Sequence, residues 1–315
     1  MTTLESISYR VDVAGTGFTV LDRIYADGDL TDEALGGSCG NVLVSLAMLH
    51  RHVTPVLALG DDDEGGRLVD EFSRAGAAIQ YISRRSDLRS PILAQELDTA
   101  SGHHDFTFVC PDTQVDLPRY EPIGESELAH AMPIFGRCSV FYTDRLSTSI
   151  LKAMKAASVA GAIIFFEPSD IEENELFATA LSMVSVLKYS EDRLGDRLAR
   201  LRTECIRIVT HGAAGLEVRE DDDAVWCDAI NAPKVLDTCG SGDMVSVGVI
   251  DWILTNKVGS ARIKAADLLG GILAGQRLAA ENCAYAGARG LFKTRGPDYV
   301  RDVLTGGRRY SAATR

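Results

Sequence analysis

Short apolar runs alternate with longer stretches of helical periodicity along most of the chain. Residues 10–13 have the pattern of a strand running into the Ala14-Gly15 turn. Over 40–50, Val42, Leu43, Leu46, Ala47 and Leu49 fall at helical spacing, and a short apolar strand, 53–59, stops at Gly60. Residues 64–75 repeat the helical pattern, with Leu68, Val69 and Phe72 on one face, and 79–82 read as another strand. Further on, strands at 139–142, 162–166, 184–187 and 205–209 interleave with helices at 147–160, 172–182 and 190–200. Two more strand signals, 215–219 and 223–227, precede Asp243, and two helices, about 243–255 and 262–281, follow it.

One segment breaks this rhythm. Between residues 90 and 110, Ile92, Ala94, Glu96 and Asp98 alternate with Leu93, Gln95 and Leu97. A polar turn over 98–104 follows, holding His103 and His104, and then Phe106-Thr107-Phe108-Val109. That is a β-hairpin pattern. Strands alternating with helices predict an α/β fold in three layers: a mostly parallel central sheet covered on both faces, with ligands at the carboxyl ends of the strands. The expectation is one domain over 1–304 with a small β insertion, followed by a loose polar tail over 305–315.

Composition narrows the partners more than the fold. The 315 residues are 46% hydrophobic and 24% charged, which is enough apolar material for a sizeable core. The net charge of −13 argues against nucleic acid and anionic membranes as partners, since both demand a surplus of Lys and Arg. Seven cysteines are scattered without a CxxC pair, which argues against a disulfide scaffold or a structural zinc site and for a reducing cytoplasm. Residues 1–10 lack a signal-peptide pattern, and the longest apolar stretch, 244–254, is interrupted by Asp251 and too short for a bilayer.

Candidate chemistry concentrates in Asp237-Thr238-Cys239-Gly240-Ser241-Gly242-Asp243, just before a helix start. The glycines let backbone N–H groups point outward, and N–H groups at a helix N-terminus attract an anion. Asp243 beside an anion is placed to take a proton, so the segment suggests phosphoryl transfer to a hydroxyl. The plain alternative is a glycine loop that only starts a helix. Gly36-Gly37-Ser38-Cys39-Gly40-Asn41 enters another helix; the glycines permit close approach of a ligand, and Asn41 offers a donor and an acceptor. Asp22 follows the Gly15-Thr16-Gly17 turn and could accept bonds from sugar hydroxyls, or be a turn aspartate. No GxxxxGK[ST], HExxH or GxSxG occurs. A dinucleotide site at Gly15 and Gly17 would need its third glycine where Val20 stands. His103-His104 fits an exposed turn better than a metal site.

Taken in this order, the segments resemble the ribokinase-like (PfkB) family of carbohydrate and nucleoside kinases, over about residues 10–300. Gly36, Gly37 and Asn41 match the family's GG-x-x-x-N signature, and 237–243 matches DTxGAGD with Ser241 in place of alanine. Gly60-Asp61-Asp62-Asp63-Glu64-Gly65 is similar to the family's G-D-D-x-x-G turn. Thr210-His211-Gly212-Ala213-Ala214-Gly215 is similar to a loop lining the ATP site.

The resemblance implies ATP and magnesium as cofactors, with potassium bound in some relatives through the carbonyls of Asp237 and Thr238. It implies Asp243 as general base and Gly240, Ser241 and Gly242 as an anion hole. Asp22, Gly36, Gly37, Asn41 and Asp144 would hold the acceptor. Lys188, Thr210, Gly212, Gly215, Cys283 and Gly287 would lie at the ATP site. Lys188-Tyr189-Ser190-Glu191 stands where the family carries Asn-x-x-Glu, leaving Glu191 as the carboxylate linked to the metal and Glu167 as a second candidate. Segments 23–35 and 90–110 would form a β lid, through which the chain could pair as a homodimer. The expected activity is transfer of the γ-phosphoryl of ATP to a hydroxyl of a sugar or sugar-like compound. A nucleoside kinase, supported by the spacing to Asp22, is the alternative within the family. A non-catalytic binder of sugar or nucleotide, and a dehydrogenase resting on Gly15 and Gly17, are the rivals from other classes.

Overall fold

Strand β1 (Val11–Thr16) is buried at every position, as a strand covered on both faces must be. It lies inside an eight-stranded sheet in a computed structural model that describes residues 11–98, 103–198, 200–260 and 263–307. In chain order the next elements are β2 (Val20–Ala26), β3 (Asp29–Gly36), α1 (Ser38–Met48), β4 (Val53–Pro55), β5 (Leu57–Gly60), α2 (Asp63–Ala75) and β6 (Ile82–Arg85). They are followed by β7 (Ile92–Asp98), β8 (His103–Thr107), α3 (Glu125–Phe135), β9 (Cys138–Thr143), α4 (Thr148–Val159), β10 (Ile163–Phe166) and α5 (Asn174–Leu181). Then come β11 (Val186–Ser190), α6 (Glu191–Leu198), β12 (Ile206–Thr210), β13 (Gly215–Glu220) and β14 (Asp223–Asp228). Helices α7 (Ser241–Asn256), α8 (Ala265–Asn282) and α9 (Gly290–Leu304) complete the fold.

The central sheet has the order β14-β13-β12-β11-β10-β9-β1-β4; the β12–β13 and β13–β14 pairings are antiparallel and the others parallel. Two cores lie against its faces. Val140, Tyr142, Ile163 and Phe165 point to one, where they meet α1, α7 and α8 through residues such as Leu43, Met244 and Ile272. Their neighbours Phe141, Ile164 and Phe166 point to the other, with Met154 of α4 and Phe177 of α5. This is the two-residue period of a strand written into sequence. Each fully buried large apolar side chain contributes roughly 1.5–3 kcal/mol, so the two cores hold the strand ends in register.

β2, β3, β7 and β8 form one separate four-stranded sheet, ordered β3-β2-β7-β8. β2 pairs antiparallel with β3 and parallel with β7, Asp22 lying opposite Leu93.

The local pattern misleads at several places. The single apolar run 53–59 is two strands: β4 ends at Pro55, which has no N–H to extend the ladder, and β5 leaves to pair with β6. Residues 79–81, expected as strand, make a 3₁₀ turn before β6. His103 and His104 belong to β8, opposite Asp98 and Leu97, so the hairpin turn is shorter than the polar stretch suggests; 99–102 lie outside the described residues. Among the described residues three helices, not two, run from the Asp243 segment onward, and α3 is a further helix without an expectation. α3 and α9 contain Pro133 and Pro297, and α9 is interrupted at Gly296, so neither has a clean helical signature. The expected tail over 305–315 is described only to residue 307, and residues 1–10 also lie outside the described ones.

Candidate active site

The N-terminus of α7 is clamped from two sides. Asp237 accepts from the Cys239 amide through Oδ1 (2.7 Å) and from the Gly287 amide through Oδ2 (2.6 Å), joining the loop 237–240 to the turn before α9. Gly240, at φ 72°, takes the left-handed conformation that starts the helix; a Cβ there would lie 2.5 Å from Ala288 Cβ. Ser241 Oγ lies 3.4 Å from Cys283 Sγ. Cys283 therefore sits beneath the same loop, and Thr238 O accepts from the Ser241 amide at 3.2 Å. The helix end faces a cation: a Cβ on Gly242 would lie 3.6 Å from Lys188 Nζ. Lys188 is buried in the middle of β11 and ion-pairs with Glu167 Oε1. Glu167 Oε2 accepts from Tyr142 OH (3.1 Å) and from Ser246 Oγ, one turn into α7. The positive end of the helix dipole and an anchored ammonium thus lie close together, an arrangement that attracts an anion.

On the other side of the first turn lies Asp243, only 7% exposed. Asn41 Nδ2 donates to its Oδ2 at 2.9 Å, joining α1 to α7 across 202 residues of sequence. Burial pushes the Asp243 carboxyl up to about 6, and the Glu167 charge adds to this; the Asn41 hydrogen bond and Lys188 oppose it, and Asp144 raises it slightly. Asn41 Oδ1 in turn accepts from Arg289 Nε (3.3 Å). Arg289, 5% exposed, also donates through Nη2 to Leu35 O (2.6 Å) and to Glu71 Oε2 (3.0 Å).

Asp22, 8% exposed, borders the same space. A Cβ at position 36 would lie 1.8 Å from Asp22 Oδ2, so only glycine there leaves the Asp22 carboxylate in this place. Burial pushes the Asp22 carboxyl up to about 7; Arg289 opposes this, Asp243 and Glu71 add to it, and Lys293 opposes it. A cavity of about 170 Å³ is lined by Asp22, Asn41, Gln95, Asp237, Arg289 and Lys293, among others. Asp22, Asn41, Asp237 and Gly287 are thus brought together around one space, with Asp243 bonded to its rim. Gly37 stands behind it, capping α1 where Phe18 O accepts from the Cys39 and Gly40 amides.

Other expected residues sit apart or are engaged differently. Asp144 is buried, but its Oδ1 accepts from the Phe18 amide (2.8 Å) and its Oδ2 pairs with Arg145 (3.2 Å). Burial raises it to about 6, against the pull of Arg145 and of the Phe18 bond. Glu191 is exposed at the start of α6, folded back over Gly195. Thr210 ends β12, its hydroxyl 3.5 Å from Tyr189 O, and Gly212 and Gly215 flank the turn into β13. Among the described residues no group of three His, Cys, Asp or Glu side chains is placed to hold a metal by itself. Glu167 has Oε1 paired with Lys188 and Oε2 accepting from Tyr142 and Ser246. The Cys239 thiol is pushed up by burial and by Asp22, Asp237 and Asp243, which fits an inert side chain. Sequence reasoning missed Arg289, Glu71 and Gln95. Arg289 follows the Gly287-Ala288 pair, but nothing local links it to Asn41, 248 residues away.

The sequence matches the pfkB family carbohydrate kinase description over residues 30–286. No curated protein is significantly similar in sequence. Solved structures share the fold. A fructokinase with bound ATP from Xylella fastidiosa superposes with a TM-score of 0.75 at 18% identity, covering 94% of this chain and 98% of that one. A ribokinase from Arabidopsis thaliana complexed with ribose and ATP gives 0.70 at 15% identity, covering 94% and 99%. An aminoimidazole riboside kinase from Salmonella enterica, complexed with aminoimidazole riboside and an ATP analogue, gives 0.70 at 18% identity, covering 93% and 100%. Among the described residues no helix is long and apolar enough to cross a membrane.

Proposed function

The chain belongs to the pfkB family of carbohydrate kinases, and from that premise we propose that it transfers the γ-phosphoryl of ATP to a hydroxyl of a sugar or sugar-like acceptor, with Asp243 as general base. The observation that carries this reading is the position of Asp243: a buried carboxylate in the first turn of α7, bonded on one side to Asn41 at the rim of the cavity, with Lys188 near the same turn. The acceptor hydroxyl gives its proton to Asp243. Its oxygen forms a bond to the γ-phosphorus as the bond to the ADP oxygen breaks. The amides of Gly240 and Gly242 face the charge on the transferring group, where such donors count most, and the Ser241 amide joins them by letting go of Thr238 O. Lys188 offsets phosphate charge, and Glu167 holds Lys188 in place.

Asp22 and Asn41 orient the acceptor, Gly36 and Gly37 shape the backbone around them, and Asp144 supports the acceptor side through the Phe18 segment. Thr210, Gly212, Gly215, Cys283 and Gly287 belong to the nucleotide side. Magnesium supplies charge neutralisation of the phosphates when bound; Glu191 and Glu167 are the residues that would hold it, through its water shell. Potassium, if used, would meet the carbonyls of Asp237 and Thr238. The four-stranded sheet is a lid that excludes water from the transfer, since it carries Asp22 and Gln95 to the cavity. Its exposed Leu30 and Phe106 support a homodimer through the lid, and the free cysteines support a cytoplasmic setting.

A phosphoryl-transfer screen over free sugars, sugar phosphates and nucleosides tests this reading. Transfer to a sugar, lost in Asp243→Asn with ATP binding intact, is expected. Transfer to nucleosides alone would replace the sugar reading by the nucleoside one. Binding of ATP or sugar with no transfer to any acceptor would make the chain a non-catalytic binder.

A further inference from the structure

Arg289 has no part in the reading above, yet it touches nearly everything around the acceptor cavity. It is buried, and its guanidinium binds three elements at once: Leu35 O at the end of β3, Glu71 of α2 and Asn41 of α1. Glu71 closes the ring by accepting from the Leu35 amide at 2.7 Å. Asn41 can donate to Asp243 with its amide only if its oxygen faces the other way, and Arg289 Nε is the donor that holds that oxygen. An amide without that partner is free to turn, and the base would then face an oxygen in place of an N–H.

The charges around the cavity are also unequal. Arg289 is matched by Glu71 (3.0 Å) and Lys293 by Asp32 (3.5 Å). Asp237 is occupied by two amides. That leaves Asp22 and Asp243 without a cation of their own. Asp22 Oδ1 is buried and accepts no hydrogen bond within the protein. A buried acceptor in this condition wants a donor, and a hydroxyl brings one while a phosphate ester brings further negative charge.

We propose that Arg289 is the positioning residue of the acceptor site, orienting Asn41 toward Asp243, and that the site selects an uncharged polyol over its phosphate ester. The proposal rests on the kinase reading for its second half and on the geometry alone for its first. Loss of the Arg289–Asn41 bond should lower kcat by about 10–100-fold, the worth of one hydrogen bond to a charged group, and leave KM for ATP unchanged. Esters should be at least about 100-fold poorer acceptors than the parent sugars, because like charges placed together cost several kcal/mol.

The test uses the full chain as wild type, Arg289→Met, Arg289→Lys and Glu71→Gln. Carboxyl ¹³C NMR follows Asp22 and Asp243 through a pH titration in the free protein. The groups facing Asp22 are Arg289, Lys293, Asp243 and Glu71. Removing Arg289 should move the Asp22 midpoint up; removing the Glu71 charge should move it down. Opposite signs show that both charges face Asp22; the orientation of Asn41 is read from Asp243, whose midpoint should rise in Arg289→Met as the Asn41 hydrogen bond that lowers it is lost, and a purely structural role leaves it in place. Arg289→Lys should restore the Asp22 midpoint but not kcat, since an ammonium does not reproduce the guanidinium's three directed bonds. Phosphoryl transfer is then measured with free fructose, ribose and adenosine against fructose 6-phosphate and ribose 5-phosphate. Opposed midpoint shifts with transfer confined to the uncharged acceptors support the proposal. Shifts of one sign, no shift, an Arg289→Met kcat within about 3-fold of wild type, or preference for the esters overturns it. If Arg289→Met does not fold, Glu71→Gln and Arg289→Lys still decide. If no acceptor is phosphorylated, the kinase reading falls, and the carboxyl titrations decide the role of Arg289 by themselves.

Discussion

Asp243→Asn separates catalysis from stability in a single substitution. The amide keeps the shape of the side chain and can still accept from Asn41 Nδ2, which now donates to Asp243 Oδ2 at 2.9 Å. It removes a base, for which a loss of about 10²–10⁴-fold in rate is expected. It also removes a buried charge. The carboxyl is raised from 3.8 to about 6 by burial first and by Glu167 second. A rise of about two units corresponds to about 3 kcal/mol by which the ionised form disfavours the folded state. The sign follows from proton binding: between about pH 4 and pH 6 the native chain holds a proton that the unfolded chain has lost, so wild-type stability falls as pH rises through that window. The neutral variant escapes this. It should be more stable than wild type by about 1–3 kcal/mol above pH 6, with the difference gone near pH 4. Urea denaturation at pH 8 and at pH 4 measures it, alongside turnover at pH 8. A variant that is inactive because it is destabilised at pH 8 would refute the assignment of Asp243 as a buried base, as would one that retains most of its activity.

In the wild type, kcat/KM for the acceptor should fall below about pH 7 and fall more steeply below about pH 6, as Asp22 and then Asp243 take up protons; a flat profile down to pH 5 contradicts both roles. Gly36→Ala puts a Cβ 1.8 Å from Asp22 Oδ2, so the carboxylate must move; acceptor KM should rise about 10–100-fold with ATP binding unchanged, as read from initial rates and an ATP titration. Lys188→Met leaves Glu167 uncompensated near Asp243. KM for ATP should rise, and the acidic limb of the pH–rate profile should move to higher pH; an unmoved limb would show that Lys188 does not face the base.

Two parts of the candidate site were legible because each is local. Gly36 to Asn41 and Asp237 to Asp243 are short runs in which glycines, a helix start and a polar side chain follow one another, so their spacing alone signals a backbone that turns and offers N–H groups. The alternation of strands and helices likewise announces a parallel sheet covered on both faces, because residues such as Phe141 and Tyr142 must point to opposite cores. Tertiary structure decided what those runs meet. The pairing of β2 with β7 carries Asp22 and Gln95 to one cavity, and no periodicity in either strand names the other as its partner. Asp144, expected at the acceptor, is taken by the Phe18 amide and Arg145. Arg289 reaches Asn41 across 248 residues because the turn before α9 crosses the start of α1. Side-chain period and backbone stereochemistry act over a few residues and are written in the sequence; hydrogen bonds and charge pairs between distant segments depend on where the packed sheet places its strand ends.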